Sequence, residues 1–129
     1  MEPYYSKKVI EHFIHPKNLG KMKDANAIGD TQNLRCGDIM KIYLKIEEKN
    51  GQEIIEDAKF ETMGCGHAIA TSDMICDLIK GKTLAEALKV GYEDIAKEIG
   101  QIPPQKAHCI HLAQQGVKMA IENYKKHKK

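Results

Sequence analysis

IMKIYLKIEEKNGQEIIEDAKFETM, residues 39–63, decides the fold. Met40, Ile42, Leu44 and Ile46 alternate with Lys41, Tyr43 and Lys45. A period of two is the mark of a strand with one buried face. Asn50-Gly51 follows, and both residue types tolerate the positive φ that a tight hairpin turn needs. The chain then returns as a second strand over residues 54–63. Ala58 and Phe60 lie on one face of it and Asp57, Lys59 and Glu61 on the other. A sheet with one apolar face must be covered, so the remaining apolar residues have to arrive on helices.

Outward from the hairpin, those helices are legible. After Gly64-Cys65-Gly66, residues 67–80 place Ala68, Ile69, Ser72, Ile75, Cys76 and Ile79 on one face, and Gly81 stops them. Thr83 and Glu86 have the spacing of a capping box for a short helix with Leu84, Ala87 and Leu88. Residues 92–99 form another short helix, ended by Gly100. Pro103-Pro104 punctuates the chain before a last helix over residues 105–124, striped by Cys109, Ala113, Val117, Ala120, Ile121 and Tyr124. Upstream, Ser6 caps a helix over residues 6–14 that Pro16 ends. Asn18, Gly20, Asn26 and Gly29 make residues 17–30 loop-like, with a weakly signalled strand at 31–35.

The chain has 129 residues, the length of one domain. No apolar run approaches the ~18 residues of a membrane-spanning helix. The N-terminus lacks an apolar signal core, so a cytoplasmic protein is expected. Net charge is +2, and Lys125, Lys126, Lys128 and Lys129 contribute four of the 20 cations. That tail reads as a solvated terminus. Arg35 is the only arginine. Nucleic-acid binders show a basic face and forked Arg contacts, so neither nucleic acid nor a membrane is an expected partner.

The four cysteines are Cys36, Cys65, Cys76 and Cys109. Without a secretion signal, their neighbours are more informative than their even number. Cys36-Gly37-Asp38 sets a thiol and a carboxylate around a residue with no side chain. Read alone, the triplet is first of all a turn with a buried thiol. Gly64-Cys65-Gly66 stands at a strand-to-helix junction, where helix N–H groups favour thiolate. His108-Cys109 pairs two metal-ligand types in the first turn of the last helix, with Lys106 close by. Cys76 lies mid-helix on an apolar stripe and reads as a small buried hydrophobe. His67 and His111 read as surface or supporting groups. Three thiolates at element ends, with Asp38 or His108, suit zinc or an iron–sulfur cluster. No CxxC occurs, which disfavours a zinc ribbon and a thioredoxin-like pair. No His-Glu motif supports a zinc hydrolase.

On these residues the chain resembles the IscU/NifU family of iron–sulfur cluster assembly scaffolds over nearly its whole length. The resemblance is carried by Tyr5-Ser6, His15-Pro16-Lys17-Asn18, Cys36-Gly37-Asp38, residues 55–60 running into Gly64-Cys65-Gly66, Ala68-Ile69-Ala70, and Pro103-Pro104 with Lys106 and His108-Cys109. Asn26-Ala27 and residues 83–87 look closer to the N-terminal domain of NifU.

The resemblance implies an α+β fold, a three-stranded antiparallel sheet with helices packed on it and the metal site at one edge. It implies a scaffold rather than an enzyme, assembling a transient 2Fe–2S cluster from iron and desulfurase-derived persulfide sulfur. By the same resemblance, Cys36, Cys65 and Cys109 are cluster ligands and sulfur acceptors. Asp38 and His108 are auxiliary ligands that can hold zinc in the cluster-free form, and Lys106 is a nearby cation. The partners it implies are a cysteine desulfurase, acceptor apoproteins and an electron donor such as ferredoxin. Self-association is left open.

Two departures stand out. Ile102-Pro103-Pro104-Gln105-Lys106 replaces the usual Leu-Pro-Pro-Val-Lys, which leaves an Hsc-type chaperone open. His67 replaces a common Ser, which leaves open an unusual fourth ligand. The alternative is a zinc-bound sulfur-relay protein of the SufU type, against which stands the 44-residue step from Cys65 to Cys109, too short for that branch's insertion.

Overall fold

The computed structural model describes residues 14–33, 38–63, 66–90, 92–99 and 107–127. Strands β1 (Ala27–Asn33), β2 (Asp38–Lys49) and β3 (Gln52–Met63) form one antiparallel sheet in the order β1-β2-β3. Helices α1 (Gly66–Ile79), α2 (Leu84–Lys89), α3 (Tyr92–Ile99) and α4 (Ala107–His127) follow. The expected α+β fold with a three-stranded sheet is the one observed. The helix expected over residues 6–14 lies outside the described residues except for Ile14. That residue is helical and 58% exposed.

The hairpin forms as its pattern dictates. Asn50 and Gly51 both have positive φ, at 55° and 79°. Their twist matches that of the flanking strands. Met40, Ile42, Leu44 and Ile46 are buried, and register sets Ala58 and Phe60 opposite Leu44 and Ile42. A register shift between Lys45 and Ile46 bends the far end of the hairpin. Inward-facing β1 residues are small: Ala27, Gly29 and Thr31 pair with Leu44, Ile42 and Met40.

That smallness explains why α4 lies on β1. A Cβ on Gly29 would stand 2.2 Å from the Gly116 carbonyl oxygen and 2.5 Å from the Ala120 nitrogen. By residue type alone, Gly29 is a loop signal. It is instead a strand residue that lets a helix backbone approach. Accordingly, β1 begins at Ala27, earlier than the strand expected at 31–35. Ile110, Ala113, Val117, Ala120 and Ile121 of α4 are buried on the sheet side. Helix α1 is buried along most of its length through Ala70, Met74, Ile75, Cys76 and Ile79. The Thr83/Glu86 capping box is present, with the Thr83 hydroxyl 3.2 Å from the Glu86 amide it accepts from. Leu84 and Ala87 of α2 are buried but Leu88 is exposed.

The outer sheet face is not wholly bare. The chain leaves the free edge of β3, where the Gly20 amide donates to the Phe60 carbonyl at 2.8 Å. It reaches Lys45, whose ammonium lies 2.7 Å from the Asp24 carboxylate. It then enters β1 through Asn26, whose side chain exchanges hydrogen bonds of 2.7 and 2.8 Å with the Ile46 backbone. Met22 in this crossing is buried, and Tyr43, expected on the solvent face, is only 7% exposed.

Candidate metal centre

The sheet register brings the chemically marked chain ends together. Asn33, the last residue of β1, faces Asp38, the first of β2. Ile39 faces Met63, the last residue of β3. The β1–β2 connection and the β3–α1 connection therefore leave from the same end of the sheet. Cys36 belongs to the first connection by sequence and Cys65 to the second, and both lie outside the described residues.

Helix α4 is directed by its contacts with β1. The Asn123 side-chain amide donates to the Ile28 carbonyl at 2.8 Å, and the Thr31 hydroxyl donates to the Leu112 carbonyl at 3.1 Å. As β1 runs from Ile28 to Thr31, α4 thus runs backward from Asn123 to Leu112. The N-terminal turn of α4, with His108 and Cys109 in it, therefore heads toward the end of the sheet where Asn33 and Asp38 sit. Lys106 lies outside the described residues. Among the described residues no three His, Cys, Asp or Glu side chains are grouped tightly enough to hold a metal ion.

A helix N-terminus directed at this end brings N–H groups without intrahelical partners and a positive dipole end. That field stabilises thiolate over thiol, the form that both binds metal and attacks sulfur. Cys76 has the opposite environment. It is wholly buried in mid-helix, and burial, with the Asp73 carboxylate adding to it, pushes its thiol far above the ordinary range. A group held neutral in this way is neither ligand nor nucleophile. The reading of Cys76 as a small buried hydrophobe is thus matched by its position in the fold. His67 lies in the first turn of α1, and His111 is exposed on α4. His111 borders a surface groove between α2 and α4 with Gln114, Gln115 and Lys118.

The reading from sequence did not single out the rim of this end. Ile39 and Met63 are cross-strand partners on the outer face, 46% and 70% exposed. Parity could have found them, since Ile39 falls out of phase with Met40 and Ile42. Deeper on the same face, Tyr43 donates its hydroxyl to Glu61. Burial, then the Glu61 carboxylate, pushes its phenol up to about 12.

The comparisons with known proteins agree with this architecture. The chain is 43% identical over 120 residues to the iron–sulfur cluster assembly scaffold protein IscU of Aquifex aeolicus, covering 93% of this chain and 75% of that one. It is 46% identical over 124 residues to the IscU of Haemophilus influenzae, covering 94% and 95%. The nitrogen fixation protein NifU of Azotobacter chroococcum is 43% identical over 121 residues, which span 94% of this chain but 38% of NifU. Among solved structures, one described as a SUF-system scaffold from Fervidobacterium islandicum superposes with a TM-score of 0.71 at 25% identity, covering 91% and 96%. The N-terminal part of a NifU-like protein from Brucella abortus shares the fold with a TM-score of 0.67 at 16% identity, covering 95% and 94%. The model of the NifU-like N-terminal domain matches residues 4–129, and the chain belongs to that family.

Proposed function

We propose that the protein is a scaffold on which a 2Fe–2S cluster is built and from which it is passed on. One observation carries the reading. The strand ends that lead into the Cys36 and Cys65 connections share one sheet end, and the N-terminal turn of α4, which contains Cys109, heads the same way, whereas Cys76 is sealed in the core. The names of the IscU relatives support the same role.

The chemistry asks for this donor set. Each iron of a 2Fe–2S cluster needs two terminal ligands besides the bridging sulfides, four in all. Cys36, Cys65 and Cys109 supply three thiolates, and Asp38 or His108 supplies the fourth. Sulfur arrives when a scaffold thiolate attacks the outer sulfur of a desulfurase persulfide, which releases the desulfurase thiolate. Each transferred sulfur is at the oxidation level of the element and takes up two electrons to become sulfide. Two sulfurs need four electrons. Two ferrous ions becoming ferric provide two, and a ferredoxin-type donor provides two. Carboxylate oxygen is a hard ligand and a poor match for this cluster, so Asp38 keeps one position labile for delivery to an acceptor apoprotein. No bond-making catalytic group is required of the scaffold beyond its thiolates. Among the described residues no helix is long and apolar enough to cross a membrane.

The test is anaerobic reconstitution with iron, a desulfurase and cysteine, followed by visible absorption and metal analysis. Cys→Ser at 36, 65 or 109 abolishes a stable cluster, and Cys76→Ser retains it. Asp38→Ala forms a cluster that decays and transfers more slowly than wild type. Loss of the cluster only in Cys76→Ser, or faster decay in Asp38→Ala, overturns the assignment. Stoichiometric zinc with persulfide transfer but no cluster would favour a sulfur-relay role, the reading that the SUF-system structural likeness keeps in play.

A further inference from the structure

Residues 18–20 lie along the free edge of β3, and one residue there joins the strand to a helix. The Asn18 carbonyl accepts from the Phe60 amide at 2.9 Å, and the next edge contact is the Gly20 amide on the Phe60 carbonyl. The Asn18 amide turns the other way and donates to the Asp73 carboxylate at 2.8 Å. Its side-chain NH2 donates to the same carboxylate oxygen at 3.0 Å, to the Asp73 carbonyl at 3.1 Å and to Asp77 at 3.0 Å. The Lys80 ammonium donates to its side-chain oxygen, and lies 3.6 Å from Asp57 on β3. Asn18 is 2% exposed and Asp73 is wholly buried.

Asp73 and Asp77 stand one turn apart on α1, a spacing that repels like charges. An asparagine can do here what an aspartate cannot, because it donates to both carboxylates and accepts from the lysine with one planar group. A buried carboxylate without donors is costly, so the arrangement is rigid rather than optional. Apolar packing between α1 and the sheet is non-directional and tolerates sliding, whereas these bonds fix distance and angle.

Location gives the clasp a use. Phe60 is three residues before the end of β3, and Asp73 is seven residues after the start of α1. Each is about 10 Å from the junction that contains Cys65. We infer that Asn18 is a positioning residue of the metal centre, clasping β3 to α1 so that the two arms flanking Cys65 are held at one angle. The metal-centre part of this inference rests on the function proposed above.

The test uses the metal-free full chain. Asn18→Asp sets a third carboxylate against Asp73 and Asp77 and removes two donors. Asn18→Asp combined with Asp73→Asn exchanges donor and acceptor and rebuilds the bond. Hydrogen exchange in the single variant rises at least tenfold at the end of β3 and the start of α1, and stays at the wild-type rate in the β1–β2 pairing and in residues 110–121 of α4. Alkylation of Cys65 by N-ethylmaleimide, resolved by mass spectrometry, rises at least fivefold while Cys76 stays protected. The double variant returns both readouts toward wild type. A rise shared by Cys76 and by all strands, or no rise at Cys65, or no rescue by the exchange, overturns the inference. If Asn18→Asp does not fold, Lys80→Met removes the lysine's contacts with Asn18 and Asp57, leaves the Asn18–Asp73 bonds in place and gives the same local pattern with a smaller rise, and a uniform or absent rise there overturns it equally. Wild type failing to assemble a cluster would sink the proposed function and leave these local readouts standing.

Discussion

Replacing Gly29 with alanine tests how α4, and the His108-Cys109 turn it carries, is docked. The added Cβ would meet the Gly116 carbonyl oxygen at 2.2 Å, the Ala120 nitrogen at 2.5 Å and the Ala120 Cα at 3.1 Å. All three are backbone atoms of a helix held on the sheet, so no side chain can rotate away. Restoring ordinary contact requires roughly 1 Å of separation between α4 and β1. Overpacking of this kind costs about 1–3 kcal/mol, and a backbone-on-backbone clash belongs at the upper end. The same shift stretches the Thr31–Leu112 and Asn123–Ile28 hydrogen bonds, each contributing about 1 kcal/mol. Relief of glycine's unfolded-state entropy returns about 0.5–1 kcal/mol. The net loss is about 4 kcal/mol, a large share of the ~5–15 kcal/mol that holds a domain together. For a chain of this length that lowers Tm by roughly 10–15 °C. Thermal melts followed by circular dichroism measure it. Gly116→Ala is the comparator, because its Cβ meets the Ile42 Cγ1 at 2.7 Å, a side-chain atom, and gains about 1 kcal/mol of helix propensity. A Gly29→Ala Tm within about 3 °C of wild type, or a larger loss in Gly116→Ala, would refute the argument that close approach at Gly29 sets the helix on the sheet.

Two further outcomes follow from burial. In the folded protein at pH 8, Cys76 resists alkylation, and it reacts once denaturant opens the core. Cys76→Ser lowers stability by about 1–3 kcal/mol because its hydroxyl is buried, measured by urea unfolding, and early alkylation of Cys76 would contradict its placement. The Tyr43 phenol is pushed up to about 12 from an ordinary 10.0, so the folded state holds that proton when the unfolded state has lost it. Its contribution to stability is complete below pH 10 and falls away as pH rises toward 12. Ultraviolet titration shows a late tyrosine component that is lost in Tyr43→Phe. Stability of the wild type declines more steeply than that of Tyr43→Phe across this window, and equal slopes would show that Tyr43 is not held in this way.

The sequence by itself determined most of the elements and the burial of Cys76. Strict alternation from Met40 to Ile46, an Asn-Gly turn and the Thr83/Glu86 pair are local signals, and local signals survive folding because neighbours in the chain impose them. The burial of Cys76 was equally local, set by its place on an apolar helical stripe. Tertiary structure alone decided what glycine and polar residues were for. Gly29 reads as a loop residue until α4, nearly ninety positions later, is seen to need the space. Asn18 reads as a turn residue until Asp73 arrives 55 residues away. Tyr43 has the phase of a solvent-facing residue, yet the segment between Gly20 and Asn26 crosses its face. Register also did what periodicity cannot, setting Asn33 beside Asp38 and Met63 beside Ile39 at one sheet end. Periodicity reports which face of an element is apolar. What covers that face, and which chain ends meet beyond it, depends on contacts between residues far apart in sequence, and those leave no mark on either stretch alone.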